Sequence, residues 1–222
     1  MLKSGWQCIV IKVGSALIAP QAKGCSTRYL LAIARFINEC RQYGVQVVLV
    51  SSGSVAAGKA AIAFPHHPLP INIKQAMAAV GQTQMMATWS HLFDFRCAQI
   101  LLTHDDLADR RRYLNIDNTL RTLLEHQVLP IVNENDSVAT AELRVGDNDN
   151  LAAMVAILVD ADALIICSDI NGLYSANPRV DAAAQFIPRV EQITSDIYAM
   201  AGGSHHTIGT GGMVTKIQAA EK

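Results

Sequence analysis

LPIVNENDSVATAELRVGDNDNLAAMVAILV, residues Leu129–Val159, joins a short apolar run to a longer one through two groups of polar side chains. LPIV predicts a short buried strand, and Leu151–Val159 predicts an apolar helix. The polar groups, Asn133–Asp136 and Asp147–Asn150, lie at the end of the strand and at the start of the helix. Carboxylates and carboxamides favour both places, but a helix cap needs only one of them. The excess predicts a site for a small polar ligand that carries positive and negative groups; a loop with a helix cap is the alternative.

Length and composition predict a globular domain. The chain has 222 residues, 50% of them apolar, which favours one domain, or one with a modest subdomain, around a sizeable core. The formal net charge is −1 and no basic run is longer than Arg110–Arg112, so we expect no nucleic-acid partner. Lys12 interrupts the first apolar run, and no stretch approaches the ~18 apolar residues that span a bilayer. We therefore expect neither a signal peptide nor a membrane partner.

The cysteines lie singly, without a CxxC pair, at Cys8, Cys25, Cys40, Cys97 and Cys167. This spacing argues against a zinc site or a disulfide framework and is typical of a reducing compartment. It predicts a cytoplasmic protein. The adjacent His205 and His206 predict a solvated loop rather than a metal site, because neighbouring side chains in a loop usually point apart.

Short apolar runs alternate with helical patterns along the chain. Five runs predict strands, at Cys8–Val13, Val45–Val50, Ala98–Thr103, Leu129–Val132 and Ala163–Ser168. Thr27–Tyr43, Lys74–Phe95 and Tyr113–His126 have helical spacing, and Pro65–Pro70 predicts a loop. The alternation predicts an α/β fold, a three-layer α/β/α sandwich with a mainly parallel central sheet. The methionines and aromatic residues of Lys74–Phe95 predict core or a subunit interface.

The residues that follow each strand are the candidates for binding, because ligands of such sheets bind at the carboxyl ends of the strands. The first strand ends in Lys12-Val13-Gly14-Ser15 and the second in Ser51-Ser52-Gly53-Ser54. The fourth ends in Asn133–Asp136 and the fifth in Ser168-Asp169. Small residues let backbone N–H groups approach an anion, and the lysine supplies charge. This edge predicts a phosphate and carboxylate site.

A glycine-rich segment near the C-terminus, GTGGMVTK at Gly209–Lys216, precedes an apolar helix start. Its N–H groups and the helix dipole favour anions. The segment lacks the spacing of a Walker A loop, and a structural turn is the alternative. Paired with Lys12 it fits phosphoryl transfer, which depends on positioning and on cationic stabilisation of spread-out charge.

Five segments, in this order, resemble the amino acid kinase family: IKVGS, SSGSVAAG, NENDSVATAELRVGDNDNL, SDINGLYSANPR and GTGGMVTK. The third segment is the most specific of them and is similar to the glutamate 5-kinase branch, which makes glutamyl 5-phosphate as the first step of proline biosynthesis. The resemblance extends from Ile9 almost to the last residue. It implies a transferase that takes ATP and glutamate, with Mg²⁺ held mainly by the ATP phosphates rather than by the protein.

The resemblance also implies roles for individual residues. ATP would bind Lys12, Ser168, Asp169, Tyr174, Thr210, Gly211, Gly212, Met213 and Lys216. Glutamate would contact Ser52, Asp136, Asn148 and Asn133. Asp136 would accept from the α-ammonium, while Ser52 and Asn148 would donate to carboxylate oxygens.

The implied catalytic residues are Lys12, Lys216, Asp149, Gly14 and Gly53. The two lysines would flank the transferring phosphoryl group, and Asp149 would hold both ammonium groups in place. Gly14 and Gly53 would offer N–H groups to the moving phosphate. The attacking γ-carboxylate is already ionised at neutral pH, so no general base is required.

Two departures from the family pattern bear on the nucleotide side. Asn177 stands where the family often has Asp. The family domain normally continues with another strand and helix, and many members add a PUA-type domain. We therefore expect residues 1–222 to form an amino acid kinase domain that is short at its C-terminal end, without a PUA-type domain.

Two alternatives to a glutamate kinase stay open at this point. One is another member of the family, acting on acetylglutamate, aspartate or a nucleoside monophosphate. Recognition of a free amine by Asp136 argues against acetylglutamate. Another is a non-catalytic regulator that binds glutamate or proline, although Lys12, Asp149 and Lys216 together argue against pure binding.

The last expectations are that proline is a feedback inhibitor, through Asp136 and the span Ser137–Val145, and that the protein is a homo-oligomer.

Overall fold

The computed structural model describes residues 5–20, 24–66, 68–139, 148–202 and 212–222. In chain order its elements are β1 (Cys8–Val13), α1 (Ser15–Ile18), α2 (Leu30–Gln42), β2 (Gln46–Ser51), α3 (Ser54–Gly58), α4 (Ile71–Ser90), β3 (Cys97–Leu102), α5 (His104–Ala108), α6 (Arg110–Glu125), β4 (Leu129–Glu134), α7 (Asn148–Leu158), β5 (Ala163–Cys167), β6 (Leu173–Tyr174), β7 (Phe186–Ile187), α8 (Ser195–Met200) and α9 (Met213–Glu221).

Five strands form one parallel sheet in the order β3-β4-β2-β1-β5. The predicted three-layer fold is confirmed, and each of the five predicted strands lies within two residues of an observed one. The parallel arrangement follows from the helices that separate consecutive strands, since parallel strands need a long crossover connection. The sheet order matters for function because β1 lies between β2 and β5, so that loops after β2 and β5 flank the end of β1.

Alternating side chains of the strands fill two hydrophobic cores, one on each face of the sheet. Val10, Val48 and Val132 face α6 and α7. Ile9, Leu49 and their neighbours face α2 and α4. Because successive strand residues point to opposite faces, Lys12 shares the α7 face with Val10, and Asn133 shares the α4 face with Ile131. The face of the sheet on which a polar side chain lies therefore decides which helix it contacts.

Helix α4 packs very closely on α3. A Cβ added to Gly81 would lie 1.8 Å from the carbonyl oxygen of Ser54, and one added to Gly58 would lie 1.9 Å from that of Met77. Two large side chains of the helix, Met85 and Trp89, are fully buried in the core. The sequence predicted either core or a subunit interface for the methionines and aromatic residues of Lys74–Phe95. The structure shows that Met85 and Trp89 belong to the core.

A smaller unit beside the sheet was not predicted from the sequence. Strands β6 and β7 form an antiparallel pair, and α8 packs on α9 around Tyr198, Val214 and Ile217. Two-residue strands carry no periodic signal, which is why sequence patterns missed them. No helix in the described ranges is long and apolar enough to cross a membrane.

Candidate active site

A buried carboxylate joins two lysines at the carboxyl edge of the sheet. Asp149 lies in the first turn of α7 and is 0% exposed. Its Oδ1 lies 2.5 Å from Lys12 Nζ, and its Oδ2 lies 3.0 Å from Lys216 Nζ. The hydroxyl of Thr215 also donates to Oδ2, at 2.8 Å. Lys12 and Lys216, both predicted from the sequence, thus each contact the predicted Asp149 directly.

The charge state of this cluster follows from its contacts. Burial alone would raise the pKa of Asp149, but the hydrogen bond and charge of Lys12, followed by those of Lys216, outweigh it and hold the pKa below its usual range. Two ammonium groups and one ionised carboxylate thus meet at the end of β1. An anion is a complementary ligand for the two lysines.

One cavity, of about 320 Å³, opens on the β2 side of this cluster. It is lined by Ser15, Ser52, Gly53, Ser54, Val55, Ala56, Lys59, Glu134, Asp136 and Asn148. Of the residues expected to bind glutamate, Ser52, Asp136 and Asn148 line it, while Asn133 lies behind them and is 1% exposed. Ser54 and Glu134 lie in segments that the sequence analysis gave as candidates without an individual role, and Lys59 was missed. The mixture of carboxylates, hydroxyls and one lysine suits a ligand that carries both signs of charge.

Hydrogen bonds hold the polar groups of this cavity. The hydroxyl of Ser54 donates to Asp136 Oδ2 at 2.7 Å. Asn148 Nδ2 donates to Ser52 Oγ and to Asn133 Oδ1, both at 2.7 Å. The expected donor role of Asn148 toward a ligand carboxylate does not fit this arrangement, because both of its amide hydrogens are engaged. Its Oδ1 is buried and accepts no hydrogen bond from the described residues, so Asn148 offers an acceptor instead.

The two glycines expected to contact the phosphate differ in their surroundings. Gly14 N–H donates to the carbonyl oxygen of Cys167 at 3.2 Å, so its use for a phosphate requires that this hydrogen bond be shared or opened. Gly53 lines the β2-side cavity and has φ +111°, which favours glycine. A Cβ at Gly53 would also lie 2.9 Å from Ile18 Cβ.

A second cavity, of about 300 Å³, opens on the β5 side. It is lined by Ser168, Asp169, Ile170, Leu173, Tyr174, Ala176, Asn177, Pro178, Arg179, Met200, Ala201, Gly212, Met213 and Lys216. Six of the residues expected to bind ATP are among them: Ser168, Asp169, Tyr174, Gly212, Met213 and Lys216. Thr210 and Gly211 lie outside the described residues, as do His205 and His206.

The walls of the second cavity are held by exposed contacts. Arg179 Nη2 lies 2.6 Å from Asp169 Oδ2, and this hydrogen bond holds the pKa of Asp169 below its usual range. Tyr174 Oη donates to Asn171 Oδ1 at 2.8 Å, and its ring packs edge-on against Phe186 across the β6–β7 pair, 5.5 Å between centroids. The sequence prediction named Asp169 and Tyr174 but missed Arg179, which lies ten residues after its partner.

These observations define a sheet edge with a cavity on each side of a Lys-Asp-Lys cluster, and the family model called "Amino acid kinase family" matches residues 7–222. The chain belongs to the amino acid kinase family. The family expected from the sequence motifs is thereby confirmed.

Several curated relatives with known names are similar to this chain. The glutamate 5-kinase of Idiomarina loihiensis is 61% identical over all of this chain and 60% of its own length. The glutamate 5-kinase 1 of Pseudoalteromonas translucida is 57% identical, again over 100% of this chain and 60% of that protein. The glutamate 5-kinase of Salinibacter ruber is 57% identical over 98% of this chain and 58% of that protein. The chain therefore spans about 60% of the length of these relatives.

A solved structure has the same fold. The UMP kinase from Bacillus anthracis superposes with a TM-score of 0.54 over 82% of this chain and 72% of that chain, at 14% sequence identity. At this identity the likeness concerns the fold alone.

The resemblance of the sequence motifs to the family implies ATP and, with it, Mg²⁺. Among the described residues no group of three histidine, cysteine or acidic side chains could hold a metal ion. Asp149, the most buried carboxylate of the site, is already engaged by two lysines. A magnesium ion held by nucleotide phosphates would need no such group of protein ligands.

Proposed function

We propose that this chain catalyses ATP-dependent phosphorylation of the γ-carboxylate of L-glutamate, which gives L-glutamyl 5-phosphate, the first step of proline biosynthesis. The observation that carries the proposal is the Lys12–Asp149–Lys216 cluster between two cavities of different chemistry. Sequence identity of 51–61% to proteins named glutamate 5-kinase supports the choice of substrate.

The β2-side cavity suits glutamate. Asp136 is the ionic partner for the α-ammonium, and the buried Oδ1 of Asn148 is a second acceptor for it. Ser52 accepts from Asn148, so its own hydroxyl hydrogen is available to a carboxylate. Two acceptors for a cation argue against acetylglutamate, whose nitrogen is an uncharged amide with one hydrogen. The cavity therefore favours a free amino acid with a second carboxylate.

The β5-side cavity suits ATP, with its phosphates toward Lys216. A γ-carboxylate oxygen would attack the γ-phosphorus, forming one P–O bond while the bond to the β,γ-bridging oxygen breaks and ADP leaves. Lys12 approaches from the acceptor side and Lys216 from the nucleotide side, and both would stabilise the charge on the transferring group. Mg²⁺ bound to the phosphates would neutralise part of the same charge. Asp149 keeps both ammonium groups at fixed positions without touching the phosphate.

A trapping assay tests this function directly. Glutamyl phosphate reacts with hydroxylamine to give a hydroxamate, so ATP consumption and hydroxamate formation should appear together with glutamate. Acetylglutamate, aspartate and UMP should give little ADP under the same conditions. Lys12→Met serves as the inactive control. ADP formation with UMP or acetylglutamate but not with glutamate would overturn the proposal.

We also propose that proline is a competitive feedback inhibitor, because it keeps the α-amino and α-carboxyl groups that the Asp136 side of the cavity would bind. Calorimetry should show proline binding that weakens as glutamate is added. Undiminished proline binding at saturating glutamate would place its site elsewhere. A homo-oligomeric state stays a prediction that sedimentation would test.

A further inference from the structure

Four side-chain amides form a continuous hydrogen-bonded chain behind the β2-side cavity. Gln82 Nε2 donates to Gln99 Oε1 at 3.0 Å, and Asn133 Nδ2 donates to Gln82 Oε1 at 2.9 Å. Asn148 Nδ2 then donates to Asn133 Oδ1 at 2.7 Å. The chain extends from exposed Gln99 on β3 through α4 and β4 to the first residue of α7. We call these four residues the amide chain.

The amide chain has a direction. At every step the carbonyl oxygen accepts from the nitrogen of the next residue toward the cavity. Turning any inner amide by 180° would place two oxygens, or two NH₂ groups, face to face. Gln82, Asn133 and Asn148 are 7%, 1% and 7% exposed, so water cannot readily replace a lost partner. The orientation of Asn148 is therefore tied to that of Gln82.

The cavity end of the amide chain is an acceptor without a partner. Asn148 uses both amide hydrogens, on Asn133 and Ser52, while its buried Oδ1 accepts nothing from the described residues. An unpaired buried acceptor destabilises the fold unless a ligand supplies the donor. The ligand group that fits is a strong donor, and an ammonium beside Asp136 in the same cavity is such a donor.

We propose that Gln82 is a specificity-determining positioning residue, which fixes Asn148 with its carbonyl oxygen available to the α-ammonium of the ligand. Gln82 itself lines neither cavity; it acts through Asn133. The site then selects a free α-amino dicarboxylate over the same dicarboxylate without an amine. The inference rests on the proposed function in naming glutamate as the ligand.

Two variants of Gln82 separate this role from a purely structural one. Gln82→Met has similar size but gives Asn133 Nδ2 no oxygen, so Asn148 can turn and the preference should fall. Gln82→Glu keeps an oxygen for Asn133 and replaces the outward donor by a second carboxylate oxygen, to which exposed Gln99 can donate after turning its amide, so it should retain the preference. The readout is the ratio of glutamate to glutarate affinity in the full chain, measured by calorimetry. Glutarate is the dicarboxylate that lacks the amine.

We expect the glutamate-to-glutarate ratio to fall about tenfold or more in Gln82→Met, as expected for a lost hydrogen bond to a charged group, and less than threefold in Gln82→Glu. Unfolded protein binds neither ligand, so the ratio does not depend on the folded fraction. A second measurement needs no ligand. The side-chain NH₂ of Asn148 should exchange slowly with solvent by NMR in the wild type and in Gln82→Glu, and faster in Gln82→Met.

The outcomes distinguish this inference from the proposed function. If the wild type phosphorylates glutamate but the affinity ratio is the same in all three proteins, Gln82 has no positioning role and the inference is wrong, while the function stands. The inference is also wrong, and the function still stands, if Gln82→Met lowers the affinity for both ligands by the same factor. If the wild type binds glutamate no better than glutarate, the choice of ligand is wrong as well. The hydroxylamine assay should then give no hydroxamate from glutamate.

Discussion

The two cavities at the edge of the sheet are built in different ways. On the β2 side the polar groups belong to regular elements and are buried, as with Asn133 at 1% and Asn148 at 7% exposure. On the β5 side the main ion pair, Asp169 with Arg179, has side chains 53% and 66% exposed. Electrostatic contacts are strong where water is excluded and weak where it is not. Single substitutions should therefore do far more damage on the β2 side than on the β5 side.

The Lys-Asp-Lys cluster lies between the two cavities and should give the largest effect. Lys12→Met should slow turnover by ~10²-fold or more, since it removes one preorganised charge contact to the phosphoryl group. Glutamate affinity should change much less. Steady-state kinetics with both substrates measures this. Lys74→Met, in a lysine of α4 that lines neither cavity, is the matched control and should leave turnover near the wild-type value.

Lys216→Met tests two contacts at once, because Lys216 lines the β5-side cavity and also contacts Asp149. It should lower turnover by a similar ~10²-fold and also weaken ATP binding. Weak ATP binding combined with near-normal turnover at saturating ATP would contradict a role for Lys216 in the transition state.

The next largest effect concerns recognition on the β2 side. Asp136→Asn should raise the Michaelis constant for glutamate strongly, because the α-ammonium loses an ionic partner worth about 2–3 kcal/mol in a desolvated site. Turnover at saturating glutamate should fall little. An unchanged Michaelis constant would remove Asp136 from the glutamate site.

A stability measurement tests how firmly the β2 side is supported. Gly81→Ala in α4 should destabilise the fold by about 1–3 kcal/mol, because the new Cβ would overlap the backbone of α3, which carries Ser54. Helix propensity alone predicts the opposite sign, since alanine is favoured over glycine by about 1 kcal/mol. Thermal unfolding decides between the two. Ala79→Gly, at an exposed site of the same helix, calibrates the propensity effect.

The smallest effect should come from the β5 side. Arg179→Ala removes an exposed ion pair, worth about 0–1 kcal/mol, so the Michaelis constant for ATP should rise fivefold at most. The difference between variant and wild type should shrink at high salt. Arg189→Ala, which breaks the still more exposed pair with Glu191, is the control. A hundredfold loss of ATP affinity in Arg179→Ala would mean that the two sides are not as different as their exposure indicates.

Much of the fold could be predicted because the strands are almost continuously apolar and because α2 and α6 have a clear helical periodicity. The strand bounds moved by at most two residues, as with β4, which continues to Glu134 rather than ending at Val132, and the helix bounds moved by up to five. The β6–β7 pair and α8 were not predicted, because such short elements are set by tertiary contacts. The position of the sheet edge was nevertheless enough to include Lys12, Ser52 and Asp136 among the candidates, while their individual roles came from the resemblance to the family.

Other features of the site could not be read from the sequence. Gln82 meets Asn133 across 51 positions of the chain, and Ser54 meets Asp136 across 82. Such pairs depend on how helices pack on the sheet. The chemistry of Asn148 was also ambiguous, since a carboxamide donates and accepts equally well. Only its neighbours in the structure show that the donors are used and that the acceptor has no partner among the described residues.

The central claim is that Asp149 organises the two lysines for transfer and does not itself bind either substrate. The most direct test is Asp149→Asn, with turnover measured by the hydroxamate assay and the binding of glutamate and ATP measured separately by calorimetry. Asparagine keeps the shape but removes the charge that holds Lys12 and Lys216. We expect turnover to fall ~10²-fold or more while both dissociation constants stay within about fivefold of the wild type. A loss of glutamate affinity as large as the loss of turnover would contradict the account, because Asp149 would then be part of the glutamate site.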